Sequence, residues 1–137
     1  MAGGITVHLP EGGLRDFPDA DHAERIVDAG NRWNLSVGCL AVLKGGELRK
    51  AFGSSEWRWY ERHLERDLEP PQRVAIQRRN GEITYVPGNR WQLVETVSDR
   101  RGPYHSWVVY SDKDICAVFR HSEVALGSSL QTPGPSD

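Results

Sequence analysis

What this 137-residue chain lacks narrows its nature first. It has only two cysteines, Cys39 and Cys116, too few for the disulfide framework of a small secreted domain. Both read as buried free thiols in a reducing compartment. An excess of one charge is also missing. Seventeen Lys and Arg against 19 Asp and Glu leave a formal charge of −2, which exerts no global pull on nucleic acid or anionic lipid. No apolar run approaches the roughly 18–20 residues of a membrane span. The opening "MAGGITVHLPEGG" has neither the basic start nor the apolar stretch of a secretory signal. These absences lead to the expectation of a cytoplasmic protein without membrane contact.

Motifs that carry chemistry are equally scarce. There is no G-x-S-x-G, C-x-x-C or H-E-x-x-H, and the five histidines (His8, His22, His63, His105, His121) fall in separate segments. The glycine pairs in "EGG" and "KGG" lack the strand–loop–helix setting of a phosphate cradle and read as hairpin turns. The sequence therefore predicts no catalytic residue, no metal and no cofactor.

What is present is a repeat. Residues 51–59 read "AFGSSEWRW", and residues 118–126 read "VFRHSEVAL", 67 positions later. Phe52, Ser55 and Glu56 return as Phe119, Ser122 and Glu123. At the same offset Ile26, Val27 and Asp28 meet Leu93, Val94 and Glu95, and Leu40, Val42 and Leu43 meet Trp107, Val109 and Tyr110. Before residue 26 the offset becomes 69, so that Ile5 and Val7 meet Val74 and Ile76, and Pro18 meets Pro87. One two-residue gap after the prolines reconciles the alignment. Shared order of apolar positions with a turn glycine in register points to duplication.

Each copy reads as an antiparallel meander of about five strands. Ile5, Val7 and Leu9 alternate with Thr6 and His8, as in a half-buried strand. Further strands are expected at 14–17, around Ile26–Val27, at 37–43 and at 48–52, with residues 18–24 as loop. The second copy repeats them at 74–77, 83–86, 92–97, 107–110 and 115–119, with Asn80–Gly81 as a turn. Trp57 and Trp59 are spaced to share one face of a short returning strand, with Arg58 and Tyr60 on the other; the alternative is a helix that starts at Ser55 with Trp57 on its apolar face. Tyr60, Leu64 and Leu68 follow at near-helical spacing, with opposite charges three residues apart, until Pro70–Pro71. The expected fold is mainly β. Two diverged meander copies pack as one pseudo-twofold unit, with a first module at 1–59, a linker helix or loop at 60–72, a second module at 73–127 and a flexible tail at 128–137.

Five Trp and four Tyr in so short a chain, with 14 Arg, supply the residue types that dominate interface energetics. The sequence thus predicts a non-catalytic intracellular interaction module. Its partner is another protein or a second copy of itself, and Trp33, Arg58, Trp59, Tyr60 and His63 are the candidate contacts. The alternative is a small β-barrel-like protein that binds nucleic acid through Arg78, Arg79, Arg90, Trp91, Arg100 and Arg101, because stacking and phosphate neutralisation use those types.

Overall fold

The computed structural model describes residues 4–28, 30–63, 73–98 and 102–125. Eleven strands follow in order: β1 (Ile5–His8), β2 (Leu14–Phe17), β3 (His22–Arg25), β4 (Leu40–Lys44), β5 (Glu47–Phe52), β6 (Trp59–Arg62), β7 (Arg73–Gln77), β8 (Ile83–Pro87), β9 (Arg90–Ser98), β10 (Gly102–Ser111) and β11 (Asp114–Arg120). The only helical elements among the described residues are two short 3-10 turns, at Pro10–Gly12 and His121–Glu123. The protein is therefore mainly β, and all its strand pairs are antiparallel.

The strands form three sheets: β2-β1-β6-β11-β10-β9, β3-β4-β5 and β7-β8. Alternation along the central, six-stranded sheet sends neighbouring residues to opposite cores. Tyr60, Val108 and Val118 join Ile5 and Val7 against Leu40, Val42 and Phe52 of the β3–β5 sheet. Trp59, Val109, Ala117 and Phe119 face the other way and pack on Val74, Ile76 and Val86 of the β7–β8 hairpin. The molecule is thus a stack with β3–β5 on one face of the central sheet and β7–β8 on the other. A third, smaller cluster lies outside β3–β5, where Trp33 and Leu35 cover Ala41, Leu43, Cys39 and Ile26.

Three sequence expectations meet a different outcome. Tyr60, Glu61 and Arg62, whose charge spacing suggested a helix, lie in β6. That strand sits between β1 and β11, so both of its backbone edges are paired, and this long-range pairing overrides local charge spacing. The remainder of the expected linker, 64–72, lies outside the described residues, as does the expected tail 128–137. The third strand is His22–Arg25, which ends just before Ile26–Val27 and falls mostly in the expected loop 18–24, with only Ala23 buried in it. Trp57 and Trp59 do not share a face. Trp57 precedes β6 and joins the first core, whereas Trp59 joins the second.

Close approach between layers shows at Gly88, which follows β8. A Cβ there would come within 2.6 Å of Val109 Cγ1 and 2.8 Å of the Tyr110 carbonyl oxygen. Gly88→Ala is expected to destabilise the protein by roughly 1–3 kcal/mol, the usual cost of overpacking, measured by urea unfolding. An unchanged midpoint would contradict this packing.

Burial also sets a pH limit. Tyr60 hydroxyl donates to the Ala23 carbonyl at 3.4 Å, and burial raises its pKa well above the usual phenol range. Below about pH 10 folded and unfolded chains both keep this proton. Above it the unfolded chain ionises while the folded one resists, so stability falls as pH rises. Tyr60→Phe is expected to flatten that alkaline loss in unfolding curves taken from pH 8 to 11. An identical alkaline slope in the variant would exclude Tyr60 as its source.

Candidate functional site

The repeated phrases lie against each other at one end of the stack. Arg120 donates to the Ser54 carbonyl and, at 3.1 Å, to the Trp57 carbonyl, and its guanidinium lies 4.8 Å from the Trp57 ring centre. Burial lowers the Arg120 pKa; Glu123 opposes that shift and Arg58 adds to it. Glu123 is 8% exposed and receives Arg78 at 2.7 Å and Arg58 at 2.9 Å. A carboxylate so buried needs such partners, because an unpaired buried charge is costly.

Beside this ion triad runs a ring stack across three strands. His8 stacks on Trp59 at 3.6 Å, and Trp59 stacks on Phe119 at 4.4 Å. His8 Nε2 also meets Glu61 Oε2 at 2.6 Å. Trp59 Nε1 and Arg78 Nε are buried here without an acceptor among the described residues. Two clefts share Arg58. One, of about 590 Å³, is lined by His8, Trp59, Arg78, Asn80 and Glu82 among others. The other, of about 570 Å³, includes Ser54, Ser55, Trp57, Arg120 and Glu123. Their cations and carboxylates are largely spent on one another.

The candidate contacts predicted from sequence divide accordingly. Trp59 and Tyr60 are buried at 4% and 7% exposure and belong to the cores. Arg58 is exposed but held by Glu123. His63 is exposed, and its Nε2 lies 2.8 Å from Thr6 Oγ1, which donates to Asp16 Oδ1 at 2.6 Å. Trp33 is half-buried in a loop built around Asn31, whose Oδ1 accepts the N–H groups of Trp33 (3.2 Å) and Leu35 (2.9 Å). Arg32 lies 4.6 Å over the Trp33 ring.

Among the described residues of the nucleic-acid alternative, each cation serves a neighbouring acceptor. Arg78 is bound to Glu123, and Arg79 Nε donates to the Val124 carbonyl at 3.2 Å. Arg90 Nε donates to the Asp112 carbonyl at 3.0 Å while its guanidinium lies 3.9 Å over Tyr110. Arg100 and Arg101 lie outside the described residues. Trp91 is an exposed apolar ring beside Trp107, 5.3 Å away.

That ring marks a surface the sequence reading did not single out. Trp91 (37% exposed) and Leu93 (41%) lie opposite Val109 and Trp107 on β9, on the central-sheet face that β7–β8 shares. Among the described residues, the layer on this face of the six-stranded sheet is the two-stranded β7–β8 hairpin, and Trp91 and Leu93 remain partly exposed. The signal was present in "RWQLVE", where Trp91 and Leu93 alternate with Gln92 and Val94 and give β9 apolar groups on both faces. On the opposite side of the stack, Leu48 of β5 is also 37% exposed. β5 has no strand partner on its second edge among the described residues.

No protein-family model matches the chain, and neither a curated protein nor a solved structure matches it. No helix among the described residues is long and apolar enough to cross a membrane.

Proposed function

We propose that this protein is a non-catalytic interaction module that works through the parts of its sheets left uncovered. One observation carries the reading: the open apolar strip of Trp91 and Leu93 on the central sheet. Exposed apolar area beside polar surroundings is characteristic of contact surfaces. The second β5 edge, unpaired among the described residues, adds backbone donors and acceptors suited to strand addition. Two buried free thiols fit an intracellular setting. The nucleic-acid reading has weaker support, because Arg78, Arg79 and Arg90 already serve neighbouring acceptors.

The modular part of the reading is that the chain is a doubled unit. Hairpin registers support it. Ile5↔Phe17 and Val7↔Arg15 recur 69 residues on as Val74↔Val86 and Ile76↔Thr84. Leu40↔Phe52 and Leu43↔Leu48 recur 67 residues on as Trp107↔Phe119 and Tyr110↔Ile115, and a bulge falls at the matching place in each. Asp21 Oδ2 accepts the Gly45 N–H at 3.0 Å, and Asn89 Oδ1 accepts the Asp112 N–H at 3.0 Å. Gly45 and Asp112 have φ of 58° and 56°. With β4 matched to β10 at an offset of 67, β3 matches β9 at an offset of 68, through Ala23↔Val42 and Trp91↔Val109. The gap is then two single-residue steps, one on each side of β3, rather than the one step inferred from sequence. The copies relate by stacking: the meander of the second packs its outer face on the interior of the first.

The test is a charge placed on the open strip. Trp91→Asp is expected to abolish association with protein, whether with itself or with another chain, while the melting temperature stays within a few degrees. The protein is also expected to pass through heparin without retention at low salt. Association undiminished in Trp91→Asp would overturn the reading. Salt-sensitive heparin retention would favour the nucleic-acid alternative.

A further inference from the structure

The two outer layers are complementary halves of the central sheet. In the centre a hairpin (β1–β2), a joining strand (β6) and a meander (β9–β11) lie side by side. The β3–β5 layer is a meander with no hairpin beside it, and the β7–β8 layer is a hairpin with no meander beside it. β5 pairs with β4 as β11 pairs with β10, in register and bulge, and β11 takes β6 on the edge that β5 leaves unpaired among the described residues. β7 pairs with β8 as β1 pairs with β2. Even the start of the joining strand recurs. Arg58 N–H donates to the His8 carbonyl at 2.9 Å, and Ala125 N–H donates to the Gln77 carbonyl at 3.0 Å.

These halves cannot complete each other within one molecule, because they occupy opposite faces of the central sheet. Only a second molecule can bring a β3–β5 layer beside a β7–β8 layer. We infer that the open strip at Trp91 and Leu93 receives the β3–β5 side of a second copy of this chain, docked head to tail. This rests on the interaction reading above and names its partner. The arriving side is apolar: Leu48 is exposed, and Trp33 and Leu35 are half-buried over Ala41 and Leu43. The chain's internal packing supplies the template, since Val108 and Val118, on the outer face of the second meander, already pack on Leu40 and Val42 of the first. The two surfaces differ, so the contact is heterologous. It builds an open chain or a ring, not a twofold dimer.

Sedimentation of the full chain with two variants at exposed positions tests this. Wild-type mass is expected to rise with concentration. Leu93→Asp and Leu48→Asp, each blocking a different side, are each expected to weaken self-association at least tenfold. Their equimolar mixture should form a 1:1 dimer and nothing larger, because each variant retains the surface its partner needs. If either aspartate variant melts early, Leu93→Gln and Leu48→Gln carry the same test. A wild-type protein monomeric up to millimolar concentration overturns head-to-tail pairing, as does a twofold dimer insensitive to both variants, or a mixture that yields no dimer. Capture of a different purified protein, lost in Leu93→Asp, would then leave the interaction reading standing. Absence of both kinds of association removes that reading too.

Discussion

Glu123→Ala is expected to destabilise the protein by about 3–5 kcal/mol, the range for breaking a buried ion pair by removing one partner. The Glu123 side chain is 9% exposed and that of Arg78 is 14% exposed, so the guanidinium left behind cannot simply rehydrate. Arg58 is 45% exposed and contributes less, since solvent screens it. The loss reaches beyond the triad. Glu123 ends the 3-10 turn that follows β11, and its carbonyl accepts the Arg79 N–H at 3.1 Å, so the same turn ties the β7–β8 hairpin to the central sheet. Glu123→Gln keeps the shape and an acceptor and should cost less. Replacing Glu123 and Arg78 together by apolar residues should recover part of the loss, because the charge then left without its partner is that of Arg58, which is exposed to solvent. Urea unfolding of the four proteins checks this order. A loss below about 1 kcal/mol in Glu123→Ala would mean that the triad is a surface feature.

Trp59→Ala is expected to cost about 3–5 kcal/mol, as for other large aromatic truncations in a core. Trp59 is 4% exposed and lies between the rings of His8 and Phe119, on the strand that joins the halves of the central sheet. Truncation would open a cavity in the second core and remove both ring contacts. Trp59→Phe is expected to cost no more than about 1.5 kcal/mol, because it keeps a ring in place and removes a buried N–H that has no acceptor among the described residues. Equal losses in the two variants would show that indole volume alone, and not the stack, holds this position.

The strands were legible wherever one face was buried. The alternation of Ile5 and Val7 and the continuous apolar run at Leu40–Leu43 became β1 and β4. The "KGGE" turn joins β4 to β5 where the glycine pair placed it, with both glycines at positive φ. What stayed hidden depended on long-range pairing. β6 carries helical charge spacing, yet it is a strand because β1 and β11 offer it two open edges. β3 has one buried residue, Ala23, and so no apolar period to read. The candidate contacts Trp59 and Tyr60 were chosen as interface residue types, but residue type does not say which side of which sheet a ring reaches. Trp91 entered the reading as a stacking platform among arginines. Its exposure follows from the stack, in which a two-stranded layer shares a face with six strands.

The central claim is that this protein works through what its outer layers leave open. Amide hydrogen exchange of the full chain, followed by mass spectrometry at rising protein concentration, tests it most directly. Exchange is expected to slow in two separated stretches, β5 (Glu47–Phe52) and residues 90–95 of β9, while the Arg58–Glu123 clefts and β2 stay unchanged. Protection that ignores concentration at both stretches, or that appears first at the clefts, would contradict the account.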